Sequence, residues 1–146
     1  MKKILIALFL SLISTAVFAG THLWKQIVKG TRDNPSVYVD INEENIKRKG
    51  DLVQLYVKQE LGSPVLVRGY VTPQNEILPI NLKIKYSVTK LNMYCEGYST
   101  YDWEALFDEN DNEIFRYTNP PNYIVKQGID IETAHGLIYK YACNVK

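Results

Sequence analysis

Residues 82–95, LKIKYSVTKLNMYC, alternate apolar and polar side chains and then change phase. Leu82, Ile84, Tyr86 and Val88 fall on one side and Lys83, Lys85, Ser87 and Thr89 on the other, after which Leu91, Met93 and Cys95 form the apolar set. A period of two sustained over this length marks a strand with one buried face, as in an antiparallel sheet. One extra residue at Thr89 or Lys90 would restore the register, so a β-bulge is predicted there. Two shorter strands meeting at a corner are the alternative.

Other segments share that period. LVQLYVKQE, residues 52–60, sets Val53, Leu55 and Val57 against Gln54, Tyr56 and Lys58. YSTYDWEALF, residues 98–107, sets Tyr101, Trp103, Ala105 and Phe107 against Thr100, Asp102 and Glu104, with Gly97 marking the tight connection from Cys95. LWKQIVK (23–29) and VYVD (37–40) read as two strands separated by the turn-rich GTRDNPS, and EIFRYT (113–118) as the return strand after the hairpin loop DENDN. INEENIKRKGD suits a helical turn or a loop with a hairpin corner near Gly50. Residues 62–81 hold Gly62, Pro64, Gly69, Pro73 and Pro79, so no long central strand is expected through them. VLVRGYV (65–71) suits an edge, and the stretch reads as an excursion between strands, a kind of connection that often carries function.

After the extended NPPNYIVKQG the period changes. In DIETAHGLIYKYACN, residues 130–144, Ile131, Ala134, Ile138, Tyr141 and Ala142 recur at helical spacing behind Asp130 as N-cap. The fold class is therefore α+β, a single antiparallel sheet of about six strands packed against one C-terminal α-helix.

Lys2 and Lys3, the apolar run over residues 4–13 and the small-residue end Val17-Phe18-Ala19 have the form of a secretory signal peptide. The run is shorter than the roughly 20 residues a stable bilayer span needs. The expected organisation is a signal peptide over residues 1–19 and one domain over residues 20–146. No cysteine stands near the cleavage site, so no lipid anchor is expected, and no later segment is apolar enough to span a membrane. The lysine-led leader looks bacterial and points to the periplasm, the cell surface or the medium. Removing Lys2 and Lys3 takes the formal net charge from +1 to about −1. A general nucleic-acid binder needs a basic excess, so that class is set aside.

An oxidising compartment also fixes the sulfur chemistry. Cys95 and Cys143 are the two cysteines, and they are expected to form a disulfide. Chain-entropy reasoning gives an upper figure of about 4 kcal/mol for it. There is no CxxC motif, and His135 lies some two helical turns from Cys143 without a further ligand nearby, which is poor zinc geometry.

Catalytic chemistry is thin. Asp108, Asn110 and Asn112 match the first ligands of an EF-hand loop, but Glu113 stands where glycine should be and Asn119 where the bidentate glutamate should be, so DENDN reads as a solvated turn. His22 and His135 have no activated-serine context. Asp102 and Glu104 alternate on the outward face of one strand, where a solvated face is the commoner reading than a glycosidase-like pair. Lys47, Arg48 and Lys49 form one basic run and Lys83 with Lys85 a second pair, either a steering patch or solubilising surface. The 11 tyrosines favour strands, and among Tyr98, Tyr101, Trp103, Phe115, Tyr117 and Tyr123, rings on the face away from the helix would make an interaction patch.

Taken in order, the leader, a first strand with Trp24, VYVDINEENIKRKGDLVQLYV, a strand closing on Cys95, an aromatic hairpin, a Pro-rich linker and GIDIETAHGLIYKYAC resemble the surface-adhesin E family of Gram-negative bacteria. The resemblance covers nearly the whole chain after the leader. Its most specific parts are VYVD, Cys95 before the hairpin and the helix ending in YKYAC. It implies one antiparallel sheet on a C-terminal helix with a Cys–Cys bridge, and non-catalytic binding of a protein partner. Characterised members are surface lipoproteins that bind host extracellular-matrix and serum proteins, and dimers are known among them. This chain departs from them in lacking a lipobox cysteine. Basic residues used for host binding precede the cysteine-bearing strand in the family, which makes Lys83 and Lys85 the candidates here. No cofactor, metal or nucleic-acid partner is expected. The alternative is a periplasmic structural or envelope-assembly factor, and a hydrolase using Asp102 or Glu104 ranks third.

Overall fold

A computed structural model describes residues 21–121 and 126–144. The expected leader, Tyr123 and part of the Pro-rich linker lie outside the described residues. The elements are β1 (Trp24–Val28), β2 (Ser36–Asp40), β3 (Lys47–Lys49), β4 (Leu52–Val67), β5 (Tyr70–Val71), β6 (Ile77–Leu78), β7 (Leu82–Tyr94), β8 (Tyr98–Phe107), β9 (Glu113–Thr118), β10 (Gln127–Gly128) and α1 (Ala134–Cys143). Eight strands form one antiparallel sheet in the order β1-β2-β4-β7-β8, with β3 pairing with β4 and both β9 and β10 pairing with β8. β5 and β6 form a separate hairpin. The α+β expectation holds, and the added strands, β3 and β10, are too short to announce themselves by alternation.

α1 covers one end of one sheet face. Val37, Val39, Val53, Leu55, Val57, Leu91 and Met93 meet Ile138 and Ala142 there in a closed core. The disulfide joins Cys143, the last helical residue, to Cys95 at the end of β7, with the Cα atoms 5.6 Å apart. Gly97, at φ 111°, turns the chain into β8 as expected, and Gly50, at φ 57°, makes the β3–β4 corner.

The helix begins later than its sequence pattern suggests. Asp130 organises a preceding turn, accepting from the Glu132 amide through its carboxylate and from the Thr133 amide through its carbonyl. Thr133 is the N-cap, its hydroxyl accepting from the Gly136 amide at 3.3 Å. Ile131 is consequently 56% exposed instead of facing the core.

The predicted bulge sits on the neighbouring strand. The β4–β7 ladder is unbroken from Leu52↔Tyr94 to Glu60↔Tyr86, so β7 carries no insertion at Thr89 or Lys90. Across β7–β8, Lys90 pairs with Trp103 and Leu91 with Tyr101, which leaves Asp102 as the extra residue. The apolar phase of β7 changes for a different reason. Leu91 and Met93 pack under α1, whereas Val88 and Tyr86 pair with Ala105 and Phe107 on the opposite face.

A second correction concerns residues 62–81. β4 runs on to Val67 through Gly62 and Pro64, because residues 61–64 bulge out between the pairs Glu60↔Tyr86 and Val65↔Ile84. A bulge tolerates a proline that a regular ladder would reject. Lys85, opposite the bulge, donates to the carbonyls of Leu61 at 2.6 Å and Gly62 at 3.0 Å, supplying acceptors the ladder no longer serves with a donor. Only residues beyond Val67 form the excursion. Its hairpin lays Tyr70 against Phe115 and Tyr117 at 5.1 and 5.5 Å, with Val71 and Ile77 turned outward.

Candidate functional site

Sheet pairing places Trp103, Ala105 and Phe107 on the face away from α1, together with Tyr56, Tyr86, Val88 and Lys90. Tyr101, one residue before the bulge, instead faces the helix side with Leu91, so the expected grouping of Tyr101 with Trp103 is broken at Asp102. On the uncovered face, planar groups cross the sheet from β1 to β9. Trp24 stacks on His22 at 4.9 Å, His22 meets Tyr56 edge-on at 4.9 Å, Tyr56 meets Trp103 at 5.8 Å, and the Arg116 guanidinium lies 4.0 Å from the Trp103 ring. A parallel row runs from the Lys58 ammonium over Tyr86, at 4.4 Å, to Phe107 stacked on Tyr86 at 4.7 Å. Between these rows opens a cleft of about 460 Å³.

Its rim is charged and neutralised in pairs. Arg116 donates twice to Glu113, both at 2.7 Å. Those hydrogen bonds hold the Glu113 carboxyl below its usual range and raise the guanidinium. Lys58 pairs with Glu60 at 3.1 Å, and Lys90 with Asp102 at 2.8 Å. Tyr86 is pushed up to about 12, chiefly by burial, then by its hydrogen bond to Asp111 and by nearby carboxylates. The cleft therefore offers aromatic area with its rim cations each paired to a carboxylate, a surface suited to contact.

His22 is anchored from below. Its Nδ1 lies 2.6 Å from Asp40 Oδ2, and the same fully buried carboxylate accepts from the amides of Leu23 and Asn42 and from Asn45 Nδ2. Burial works against the Asp40 charge, but these hydrogen bonds outweigh it and lower its pKa. Reading VYVD as a strand had left this role for Asp40 unseen. An aspartate closing a strand two residues before Asn42 and five before Asn45 is its trace in the sequence.

The other candidates separate in space. The bulge turns Asp102 to Lys90 and Asn92, while Glu104 pairs with Thr89 on the helix side and accepts from the Tyr70 hydroxyl at 2.7 Å. The two carboxylates thus point from opposite faces and do not form an acid–base pair. His135 Nε2 lies 2.8 Å from Ser99 Oγ, a contact missed in the sequence because the two are 36 residues apart. Ser99 is 1% exposed, so the pair is interior, and burial lowers the His135 pKa. Asp108 accepts from the amides of Asn110 and Asn112, the solvated turn expected of DENDN. Among the described residues no group of three or more metal-ligating side chains occurs. Arg48 donates to the Ala142 carbonyl at the end of α1, at 2.6 Å. Lys83 is exposed, and Lys85 is half-buried on the β4 bulge.

These features define a class by fold: an antiparallel sheet with a short C-terminal helix tied by a disulfide across one face, and an aromatic cleft on the other. No protein-family model matches the sequence, and no curated protein matches it. Among solved structures the chain is similar to the structure of Haemophilus influenzae protein E, at 14% identity over 83% of each chain with a TM-score of 0.52. A second crystal form of that protein aligns at 13% identity over 86% of this chain and 97% of the other, with a TM-score of 0.50. At such identity the likeness is one of fold, and this chain has a protein E-like fold. Among the described residues no helix is long and apolar enough to cross a membrane.

Proposed function

We propose that this chain is an exported, non-catalytic protein-binding domain of the surface-adhesin E type, with a host extracellular-matrix or serum protein as partner. The observation that carries the reading is the uncovered aromatic cleft, where Trp24, Tyr56, Tyr86 and Trp103 present large, partly exposed rings of the kind that dominate binding energy at protein interfaces. The protein E-like fold, the disulfide and the leader-like residues 1–19 support it in turn. Lys83, exposed at the start of β7, alternates with Tyr86 and so offers a separate cationic contact on the opposite face from the cleft. Lys85 contributes indirectly, because its ammonium is engaged with the β4 carbonyls.

Two measurements test this. Domain 20–146, immobilised and challenged with purified matrix and serum proteins, is expected to retain at least one of them and to lose it when Trp103 is replaced by alanine. Protease added to intact cells is expected to digest the chain. Protection until lysis would sink surface adhesion and leave an envelope factor built on the same fold.

A further inference from the structure

The helix-side face of the sheet is covered twice, by α1 at one end and by the β5–β6 hairpin at the other. Against α1 lies a half-open cavity of about 210 Å³, with Val37, Val57, Leu91 and Ile138, none of them more than 8% exposed, as its apolar side and Gln59, Thr89, Tyr101 and Gln127 as its polar side. Glu104 is the one carboxylate among its described lining residues, and no lysine or arginine lines it. The basic side chain among the lining residues, His135, has its pKa lowered by burial. Glu104 also borders a second cavity of about 230 Å³ under the hairpin, lined by Leu61, Val67, Ile84 and Leu106. Its carboxylate is held in place by the hydroxyl of Tyr70, itself 7% exposed.

The contrast with the other face is informative. Glu60, Asp102 and Glu113 each sit within 3.1 Å of a lysine or arginine nitrogen, whereas among the described residues Glu104 has no cationic partner. Glu104 is only partly exposed and accepts from the Tyr70 hydroxyl alone among the described side chains, so it leaves a carboxylate oxygen for a cation that brings an aliphatic stem to the apolar side of the cavity. We propose that this cavity binds an alkylammonium group, with the nitrogen on Glu104 and the aliphatic stem along Val57, Leu91 and Ile138. Its size lies below the roughly 300 Å³ at which drug-sized ligands begin and suits a single side chain or a short amine. The inference does not rest on the adhesin reading, since a partner's lysine and a free diamine present the same chemistry.

The test is an NMR titration of domain 20–146 with three probes of similar length: cadaverine, Nα-acetyl-lysine methylamide and uncharged 1-pentanol. Both amines, or the one that matches the natural source, are expected to shift resonances around Leu91 and Ile138, with pentanol at least about tenfold weaker. Tighter binding of the lysine derivative assigns the site to a protein-borne side chain, and tighter binding of cadaverine to a free amine. Glu104→Gln keeps an oxygen for the Tyr70 hydroxyl and is expected to weaken amine binding about tenfold at unchanged melting temperature. Pentanol binding as well as the amines, no response to either amine, or unchanged binding by folded Glu104→Gln each overturns the proposal. The amine-against-alcohol comparison needs no variant, so the test stands even if Glu104→Gln fails to fold.

Discussion

Asp40 is fully buried and charged, and it is stable because partners converge on it from His22 ahead of β1, the backbone and the turn that follows. Asp40→Asn keeps the volume and one acceptor oxygen but sets an amide donor among donors. It is expected to cost about 2–3 kcal/mol, read as a lowered denaturant midpoint, and to loosen His22 from the aromatic face. The pH dependence follows from direction alone. Asp40 and Asp102 have folded pKa values below the ordinary 3.8, so their stabilisation is present above that value and lost as pH falls through the folded one. His135 is lowered from 6.5, so the unfolded chain takes up that proton first and stability declines as pH drops below 6.5. Unfolding curves are expected to show a shallow loss beginning near pH 6.5 and a steeper one below 3.8. His135→Gln is expected to remove the first and leave the second; a shallow loss that survives the substitution belongs to another group.

At the scale of elements, α1 depends on two devices at its ends. Cys95–Cys143 closes a separation of 48 residues, and replacing both cysteines by serine is expected to cost up to about 4 kcal/mol. Hydrogen exchange should locate the loosening in α1, because the helix is ten residues long and gains little stability alone. At the other end, a Cβ on Gly136 would press into the Asp130 carbonyl and the Ile131 backbone, where the preceding turn doubles back on the first helical turn. Gly136→Ala, favourable by helix propensity, is therefore expected to destabilise by about 1–3 kcal/mol. Much of this scale was legible. Strict alternation located β4, β7 and β8, and turn residues located Gly50 and Gly97. Alternation failed where its premise failed: β7 is covered by α1 at one end and by rings at the other, on opposite faces, so a change in covering mimicked a bulge. The real bulge, at Asp102, hid because an acidic residue between Tyr101 and Trp103 alternates normally on paper. Contacts such as Ser99–His135 and Tyr70–Glu104 depend on which strands become neighbours, which local pattern does not encode.

The whole molecule sorts its chemistry by face. One side spends its apolar residues on a helix and a hairpin; the other leaves rings partly open between β1 and β9. Trp24 and Trp103 are the two tryptophans of the chain, and both line the open cleft. Tryptophan fluorescence, excited beyond the tyrosine band, is thus a reporter of that face alone, while the Glu104 cavity contains no tryptophan. A protein partner seated on the aromatic face is expected to shift or quench tryptophan emission; an amine on the helix side is not. Trp103→Ala removes a partly exposed ring from the sheet face, so its effect on stability should be modest. A central aromatic at an interface commonly carries 2 kcal/mol or more, which corresponds to a loss of about thirtyfold in affinity. Tyr101→Phe, on the other face, is expected to leave that affinity unchanged. Equal losses from Trp103→Ala and Tyr101→Phe would mean that the partner senses the fold as a whole, and the aromatic cleft would then be packing rather than a binding surface.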